Sequence, residues 1–470
     1  MKTILKTKLL SLFFLYFIST QAQCVDTFVS VGNANIILRT DGTLMGVGAN
    51  DLGQLGNGTT NNISTLTQIG TDNDWTNAGI CINSNLFIKT NGTMWVWGHN
   101  NKGQLGLGNY INQLYPVQMG TDNNWAKFST TGNFTAATKT DGTLWATGEN
   151  LQGQLGNGTY TNRNVFEQVG TDTDWVNVVC FNTKMIATKT NGSIWFCGTN
   201  GNGGLGNGTV QTGNIGINTL QQVGTDTDWK KVMIGTTEII ALKQNGTIWT
   251  WGLNVSGNCG DGTFLPHYLP TQMGTDNNWE DFYTASGTLA LKTNGTIWTW
   301  GNNQFGTLGN GTTVANPTPT QVGTDTDWQK IYPFYWTGLA KKQNGTFYRW
   351  GSNYYHLFNT IQGFQDLQLT PIIYNPDCVL STEDIEDIQA VSVYPNPTNG
   401  LFTLQYSMTG DELVDISVIN ILGQKIYNKQ SLKTVLDYQD QINLSNQPTG
   451  LYMVTFQTSN KVTTVKLIKN

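Results

Sequence analysis

Short apolar runs separated by polar turns recur along this chain. Between residues 75 and 119 they fall at 78–81, 86–88, 94–97 and 115–119. Short runs rich in β-branched and aromatic side chains, with Gly, Asn and Asp between them, are typical of β-strands. No repeat shows helical periodicity, and the 54 glycines oppose long helices. The pattern predicts an all-β fold made of four-stranded units.

The unit returns about every fifty residues. Each copy has an Asp-Gly-Thr or Asn-Gly-Thr-like triplet, whose glycines are Gly42, Gly92, Gly142, Gly192, Gly246, Gly295 and Gly345. Asn91-Gly92 predicts a two-residue type I′ hairpin, which needs positive φ at both positions. A four-stranded unit that recurs seven times indicates a closed propeller of seven blades, because stacked blades bury faces that one blade alone exposes.

Two other motifs accompany the triplet. A tryptophan starts most copies (Trp75, Trp125, Trp175, Trp229, Trp279, Trp328), and a Gly-rich loop spans residues 53–59 in the first. In 93–98, Trp95 and Trp97 alternate with period two, so both are expected to fill the gap between blades. With these motifs the chain resembles the regulator of chromosome condensation repeat family, whose members are seven-bladed propellers. The resemblance covers about residues 25–378, and the last copy lacks the loop glycines at 351–358.

The start of the chain has the features of an export signal. Residues 1–22 carry Lys2, Lys6 and Lys8, an apolar stretch at 9–18 and small residues after it. This pattern predicts a secretory signal peptide, with a retained anchor or a lipid on Cys24 as alternatives. The apolar stretch is too short to span a bilayer, so we expect no integral membrane segment in the mature chain. The propeller is then assigned to residues 23–378.

An acidic linker at 379–390 precedes a region of different composition at 391–470. Its motif residues are Tyr394, Pro395, Asn396, Pro397, Gly400, Gly450, Leu451, Tyr452, Lys466 and Lys469. They resemble the C-terminal sorting domain of type IX secretion. The resemblance implies a small immunoglobulin-like β-sandwich, recognition by the type IX machinery, and passage through the periplasm to the outer-membrane surface or the extracellular medium. It also implies that the tail is cleaved or exchanged for an anchor.

Charge argues against a nucleic-acid partner. The chain has 25 basic and 31 acidic residues, a net charge of −6, and residues 24–378 hold 16 basic and 22 acidic ones. A nucleic-acid binder needs a basic surface that displaces counterions. We therefore expect no nucleic acid among the partners.

The six cysteines fall into two groups. Cys81, Cys180, Cys197 and Cys259 occupy repeat positions that predict core packing. Cys378 lies 33 residues after Gly345, where other copies have the tryptophan, and Cys24 adjoins the corresponding place of the first copy. Seven blades bring these places together, so a Cys24–Cys378 disulfide is expected in an oxidising compartment.

Candidate catalytic and metal chemistry is sparse. The Asp pairs of 71–75 and its equivalents are expected to stabilise turns, with calcium binding as the alternative. Glu149, Glu238 and Glu280 break the repeat and are expected to be solvated, although carboxylates can pair in glycoside hydrolysis. No metal, cofactor or nucleophile motif occurs. The sequence thus predicts neither cofactor nor metal.

The favoured function is a non-enzymatic, monomeric binding scaffold for an extracellular protein or glycan. An extracellular polysaccharide lyase or hydrolase is the alternative, and a structural or adhesive filler with no single ligand is a third hypothesis. Irregular places in the repeats are the candidate binding surface, because aromatic loops favour binding. They are a four-residue insertion near 211–216 and an aromatic group comprising Tyr332, Phe334, Tyr335, Trp336, Tyr354 and Tyr355. Core packing of a degenerate last blade is the other interpretation of that group.

Overall fold

A computed structural model describes residues 27–31, 34–78, 83–213, 215–332, 336–352, 367–374, 388–408, 412–420, 424–433, 436–457 and 462–470. These residues form 35 strands and no helix. The chain divides into two compact units, Met1–Pro376 and Asp377–Asn470. The all-β prediction is confirmed.

The first unit contains seven four-stranded antiparallel sheets, each formed by four consecutive strands. Blades 1 to 3 are β1–β4 (Thr27–Val31, Ala34–Leu38, Leu44–Gly48, Ile63–Ile69), β5–β8 (Trp75–Ala78, Ser84–Lys89, Met94–Gly98, Gln113–Gln118) and β9–β12 (Trp125–Thr130, Phe134–Lys139, Leu144–Gly148, Arg163–Gln168). Blades 4 and 5 are β13–β16 (Trp175–Phe181, Lys184–Lys189, Ile194–Gly198, Ile217–Gln222) and β17–β20 (Trp229–Ile234, Glu238–Lys243, Ile248–Gly252, His267–Gln272). Blades 6 and 7 are β21–β24 (Trp279–Thr284, Gly287–Lys292, Ile297–Gly301, Asn316–Gln321) and β25–β28 (Trp328–Tyr332, Thr337–Lys342, Phe347–Ser352, Leu367–Tyr374).

Burial orders the strands within a blade from the ring axis outwards. Contacts between consecutive blades involve their first and second strands. The second strand is buried along its length, as in Phe134–Lys139, whereas the fourth, as in Gln113–Gln118, is at least partly exposed at every position. The first strands therefore line the axis, and the fourth strands form the outer rim.

The ring closes through apolar packing between its first and last blades. Ile37 and Met45 of blade 1 form one buried cluster with Tyr332, Leu339 and Phe347 of blade 7. Burial of such side chains contributes about 1.5–3 kcal/mol each. This packing joins the two ends of the array and makes the seven sheets a closed propeller, as the repeat count predicts.

The hairpin that carries each triplet differs from the predicted type I′ turn. Gly92 has a φ of 79°, but Asn91 is not among the described residues with positive φ. The Gly92 N–H donates to the Lys89 carbonyl over 2.9 Å, and the Lys89 N–H donates to the Thr93 carbonyl. This is a three-residue loop with a left-handed glycine. The Asn91 side chain accepts the Thr93 N–H over 3.1 Å, so Asn91 serves through its side chain.

Hydrogen bonds between blades use the second aromatic of the Trp-x-Trp motif. Trp97 is fully buried, and its indole N–H donates to the Gln54 carbonyl in the Gly-rich loop of the preceding blade. Trp251, Trp300 and Trp350 donate to the equivalent loop of the blade before theirs. Where the tryptophan is replaced, the Thr147 hydroxyl and the Cys197 thiol contact the same loop. In blades 2 to 7 the slot therefore holds a hydrogen-bond donor as well as apolar volume, which the sequence pattern did not reveal, whereas blade 1 has Val47 there.

The second unit is a two-layer β-sandwich. Its strands are β29 (Ile388–Tyr394), β30 (Leu401–Met408), β31 (Glu412–Asn420), β32 (Lys425–Lys433), β33 (Leu436–Asn443), β34 (Gly450–Gln457) and β35 (Val462–Lys469). The sheet orders are β29-β30-β33 and β32-β31-β34-β35. Both sheets contribute to one core, in which Phe402 and Ile442 meet Val454 and Leu467.

Candidate functional site

The end of the blades that carries the hairpins is highly repetitive. In blades 2 to 7 the last residue of the second strand is a lysine whose ammonium lies between two aromatic rings; these clamp lysines are Lys89, Lys139, Lys189, Lys243, Lys292 and Lys342. In blade 5 the Lys243 Nζ lies 4.7 Å from the Trp229 ring centroid and 4.6 Å from that of Trp249. It also lies 2.6 Å from an Asp226 oxygen and 3.0 Å from an Asp228 oxygen.

This arrangement assigns a role to the repeated Asp pairs. Burial lowers the pKa of the Lys243 ammonium, but hydrogen bonds and charges from Asp226 and Asp228 outweigh it and hold that pKa above its ordinary 10.5. The same balance raises the pKa of Lys89, Lys189 and Lys342. The carboxylates thus bind a protein cation, where the sequence suggested turn bonds or calcium. No group of three metal-ligating side chains occurs among the described residues.

The opposite end, with the Gly-rich loops, carries residues that differ between blades. Glu238 of blade 5 is 1% exposed, so its expected solvation is wrong. Its carboxylate accepts from the Asn258 amide over 2.9 Å and the Thr284 hydroxyl over 2.9 Å. Lys184 holds the same repeat position in blade 4; burial lowers the pKa of its ammonium, and the Glu238 charge partly opposes that effect. Because its acceptors are occupied, Glu238 is a structural group.

The other two repeat-breaking carboxylates lie apart from Glu238. Glu149, in blade 3, accepts from Asn133 over 3.0 Å and forms an ion pair of 3.2 Å with Lys102. Glu280 is exposed in β21 near the hairpin end of blade 6. Three blades and three different surroundings give no support to a paired-carboxylate site.

The cysteines that the structure describes are core residues. Cys180, Cys197 and Cys259 are buried and free, as predicted. Burial raises the pKa of the Cys259 thiol to about 12, so the thiol stays protonated near neutral pH. Cys24, Cys81 and Cys378 lie outside the described residues, and the disulfide remains a prediction.

The aromatic group predicted as a binding surface is only partly described. Tyr332 is 3% exposed and packs 5.8 Å, centroid to centroid, from Phe347 in the closure of the ring. Its assignment to an exposed surface is therefore wrong, because the degenerate last blade uses it as core. Trp336 is partly buried and lies 5.2 Å from the Phe305 ring. Phe334, Tyr335, Tyr354 and Tyr355 lie outside the described residues.

An exposed apolar surface lies instead along the outer rim. It follows the seams between blades. At these seams the third glycine of one blade's Gly-rich loop donates its N–H to a carbonyl in the fourth strand of the next blade, as Gly108 does to Asn164 over 2.7 Å. We call this surface the rim arc. Its side chains, 37% to 71% exposed, are Tyr110, Ile111, Tyr115, Tyr160, Val165, Val210, Phe264, Leu265, Leu269 and Val314.

The rim arc occupies one part of the ring. It begins where Tyr115 of blade 2 covers Gly58 of blade 1, and it extends to the loop of blade 6. Blade 1 has Thr60, Asn61 and Thr65 at the equivalent positions. Nothing in the packing requires apolar residues there, since blade 1 has polar residues after its loop glycines, and blades 4 and 6 have the exposed Thr219 and Thr318 where blade 2 has Tyr115. Comparing copies at the residues after the loop glycines could have found this surface from the sequence.

Segments of the rim arc are also free of charge. Residues 109–118, 209–222 and 312–321 contain no Asp, Glu, Lys or Arg. In blade 3, Arg163 and Glu167 neutralise each other in a 2.6 Å ion pair. The surface is therefore nearly neutral, although the protein as a whole is acidic.

The sorting-motif residues meet at one edge of the second unit. The Asn396 amide donates to the Lys466 carbonyl over 2.6 Å, and its oxygen accepts the Ile468 N–H over 3.0 Å. Thr398 adds a parallel bridge to Lys469. The Pro-Asn-Pro segment is thereby joined to the last strand, β35.

Exposure divides the sorting-motif residues. Tyr394 and Leu451 are 43% and 40% exposed, and Leu451 pairs across β34 and β35 with the exposed Ile468. Tyr452 is buried, and its hydroxyl donates to the Pro448 carbonyl over 2.6 Å. Lys469 is buried, whereas Lys466 is exposed. Tyr452 and Lys469 therefore act in the fold of the unit.

Comparison with known proteins agrees with both units. Residues 91–138 and 294–332 match the Regulator of chromosome condensation (RCC1) repeat, and residues 392–470 match the Secretion system C-terminal sorting domain. A search of the curated proteins found no significant match. In the part of the chain that the structure describes, no helix has the length and apolarity required to cross a membrane.

Solved structures share the propeller fold. Yeast RCC1 (Prp20) in a complex with Kap60 has a TM-score of 0.59 and 16% identity, over 83% of this chain and 94% of that chain. Prp20p of Saccharomyces cerevisiae has a TM-score of 0.59 and 17% identity, over 78% and 90%. Human WBSCR16 has a TM-score of 0.54 and 18% identity, over 78% and 99%. The chain is therefore a seven-bladed propeller that contains regulator of chromosome condensation repeats, followed by a secretion system C-terminal sorting domain of the kind used in type IX secretion.

Proposed function

We propose that the propeller is a non-enzymatic binding scaffold that acts outside the cell and binds its ligand through the rim arc. One observation carries the proposal: a neutral, exposed apolar surface crosses several blades, while blade 1 shows that the fold does not require it. Contiguous exposed apolar patches on soluble proteins mark interaction sites. The hairpin ends of the blades, in contrast, carry the repeated ion pairs of the clamp lysines.

The test is saturable binding of the labelled secreted protein to the surface of producing cells. Tyr115→Ser and Phe264→Ser remove exposed rings, so folding should be unchanged, and we expect the bound fraction to fall about tenfold or more. Leu151→Ser is the matched control, since Leu151 is 59% exposed on a loop outside the rim arc. Equal binding by all three variants would contradict the proposal.

Export is assigned to the second unit. The exposed residues Tyr394, Leu451 and Lys466 are proposed to contact the type IX machinery, and Asn396 to hold the last strand in place. Deleting residues 391–470 should leave the propeller inside the cell envelope, and Asn396→Ala should reduce export with less effect on the amount made. Fractionation followed by immunoblotting measures both. Full export of the truncated chain would refute the assignment.

A Cys24–Cys378 disulfide is proposed to secure the two ends of the propeller. In a chain-entropy model so long a loop contributes roughly 4–5 kcal/mol. Peptide mapping of the secreted protein without reduction should yield the linked peptides, and Cys378→Ser should lower the midpoint of thermal unfolding. Recovery of both thiols in free form would exclude the bond.

A further inference from the structure

We infer that the rim arc binds a neutral polysaccharide chain that runs from blade to blade. The inference rests on the proposed function and names the class of ligand. Three observations support it: the exposed groups recur with the repeat, the surface lacks charge, and rings alternate with amide and hydroxyl side chains.

Recurrence favours a polymer. Tyr110 and Phe264 follow the Gly-x-Gly loop at nearly the same step in blades 2 and 5, and Tyr160 takes that place in blade 3. At the middle of the fourth strand, Tyr115, Val165 and Leu269 are equivalent. A surface that presents similar groups on blades 2, 3 and 5 makes similar contacts with separate units of a repeating chain. A single compact ligand would engage only one of these places.

Absence of charge restricts the polymer to an uncharged one. An acidic polysaccharide or nucleic acid requires cations, but the half-buried Arg163 side chain is already paired with Glu167. His267 is likewise in contact with Asp261 across the loop of blade 5. Neither side chain is available to a bound anion without breaking its present contact.

The chemistry of the side chains fits sugar rings. A pyranose has an apolar face of C–H groups, which an exposed Tyr or Phe ring can cover, and an edge of hydroxyls, which both donate and accept hydrogen bonds. The rim arc interleaves its rings with Asn, Gln and Thr, as in 109–113 and 159–162. Protein interfaces are enriched in Arg and Met as well as aromatics, and both are nearly missing here.

The experiment is affinity electrophoresis of the full secreted chain in gels that contain one soluble polysaccharide each. The neutral probes are β-glucan, xylan, mannan and dextran, and the charged probes are alginate and heparin. We expect at least one neutral probe to retard the protein, to the same extent at low and high salt. The charged probes should not retard it. Oligosaccharides of that sugar should compete better as they lengthen, until they span the rim arc.

Variants decide whether the rim arc is the site. Tyr110→Ser with Tyr115→Ser should weaken retardation about tenfold or more, while Leu151→Ser should leave it unchanged. Retardation that survives the double change would overturn the location. If no neutral probe is retarded but the rim variants still lose binding to cells, the ligand class is wrong and the proposed scaffold stands. If neither assay detects binding, both fail.

Discussion

The clamp lysines allow a quantitative test of how the blades are held. Lys243→Met keeps a long apolar side chain but removes the ammonium. That ammonium lies between the Trp229 and Trp249 rings and pairs with Asp226. Lys127→Met is the matched control, because Lys127 is exposed and has no ion pair with the described residues. We expect the first change to destabilise the propeller clearly and the second to have little effect.

The magnitude follows from the surroundings of the ammonium. Two rings at 4.7 and 4.6 Å contribute about 1–2 kcal/mol together. The ion pairs add less, about 0.5–1 kcal/mol, because the Asp226 and Asp228 side chains are 45% and 47% exposed and solvent screens them. Since both carboxylates stay hydrated without the lysine, no buried charge is left unpaired. The expected loss is therefore about 2 kcal/mol.

Urea unfolding followed by tryptophan fluorescence measures this loss. All 16 tryptophans lie between residues 75 and 350, so the signal reports on the propeller alone. A double-mutant cycle with Asp226→Asn separates the ion pair from the ring contacts. If the free energies of unfolding of Lys243→Met and Lys127→Met agree within about 0.5 kcal/mol, the clamp does not stabilise the fold.

Three further outcomes follow from the same structure. Because the folded pKa of Lys243 is raised, its contribution is complete below its ordinary pKa of 10.5 and is lost as pH rises through the folded value. The urea-midpoint difference between wild type and Lys243→Met should shrink in that alkaline range, and a constant difference would contradict this. Trp300→Phe should lower the free energy of unfolding by about 1–3 kcal/mol more than Trp279→Phe does. The reason is that the Trp300 indole N–H donates to a buried carbonyl, whereas the Trp279 indole N–H has no hydrogen-bond partner among the described residues. Equal urea midpoints would argue against the bond. Gly142→Ala should destabilise the propeller more than Gly170→Ala does. Both glycines have positive φ, but an added Cβ would meet a carbonyl oxygen at 2.0 Å at Gly142 and nothing within 4 Å at Gly170. Thermal unfolding of the two variants checks the order.

Much of the fold was predictable because it depends on periodic features. The spacing of the turn glycines predicts the blade boundaries. The alternation at Trp95 and Trp97 predicts the place of Trp97 between blades, whereas Trp95 packs against Trp75 of its own blade around Lys89.

Hydrogen-bond partners that come from other blades, such as the Gln54 carbonyl that accepts from Trp97, could not be predicted. The turn at Asn91 also differs from the predicted type I′ turn. Asn91 accepts the Thr93 N–H with its side chain and does not adopt positive φ.

The candidate site was mostly missed for a related reason. Aromatic richness near Tyr332 indicated a surface, but the closing seam of the ring buries that residue. The rim arc required knowing that the fourth strand lies at the outside, which no single copy reveals. Comparing Tyr110 with Thr60 would have shown the change from polar to apolar. The Asp pairs could not be assigned without the lysine that folds back to them.

Binding through the rim arc is tested by a binding isotherm of the secreted protein on the surface of producing cells. Wild type is compared with the Tyr115→Ser, Phe264→Ser double variant and with Leu151→Ser. We expect saturation for wild type and Leu151→Ser, and loss of saturable binding for the double variant. Identical isotherms for all three proteins would contradict binding through the rim arc.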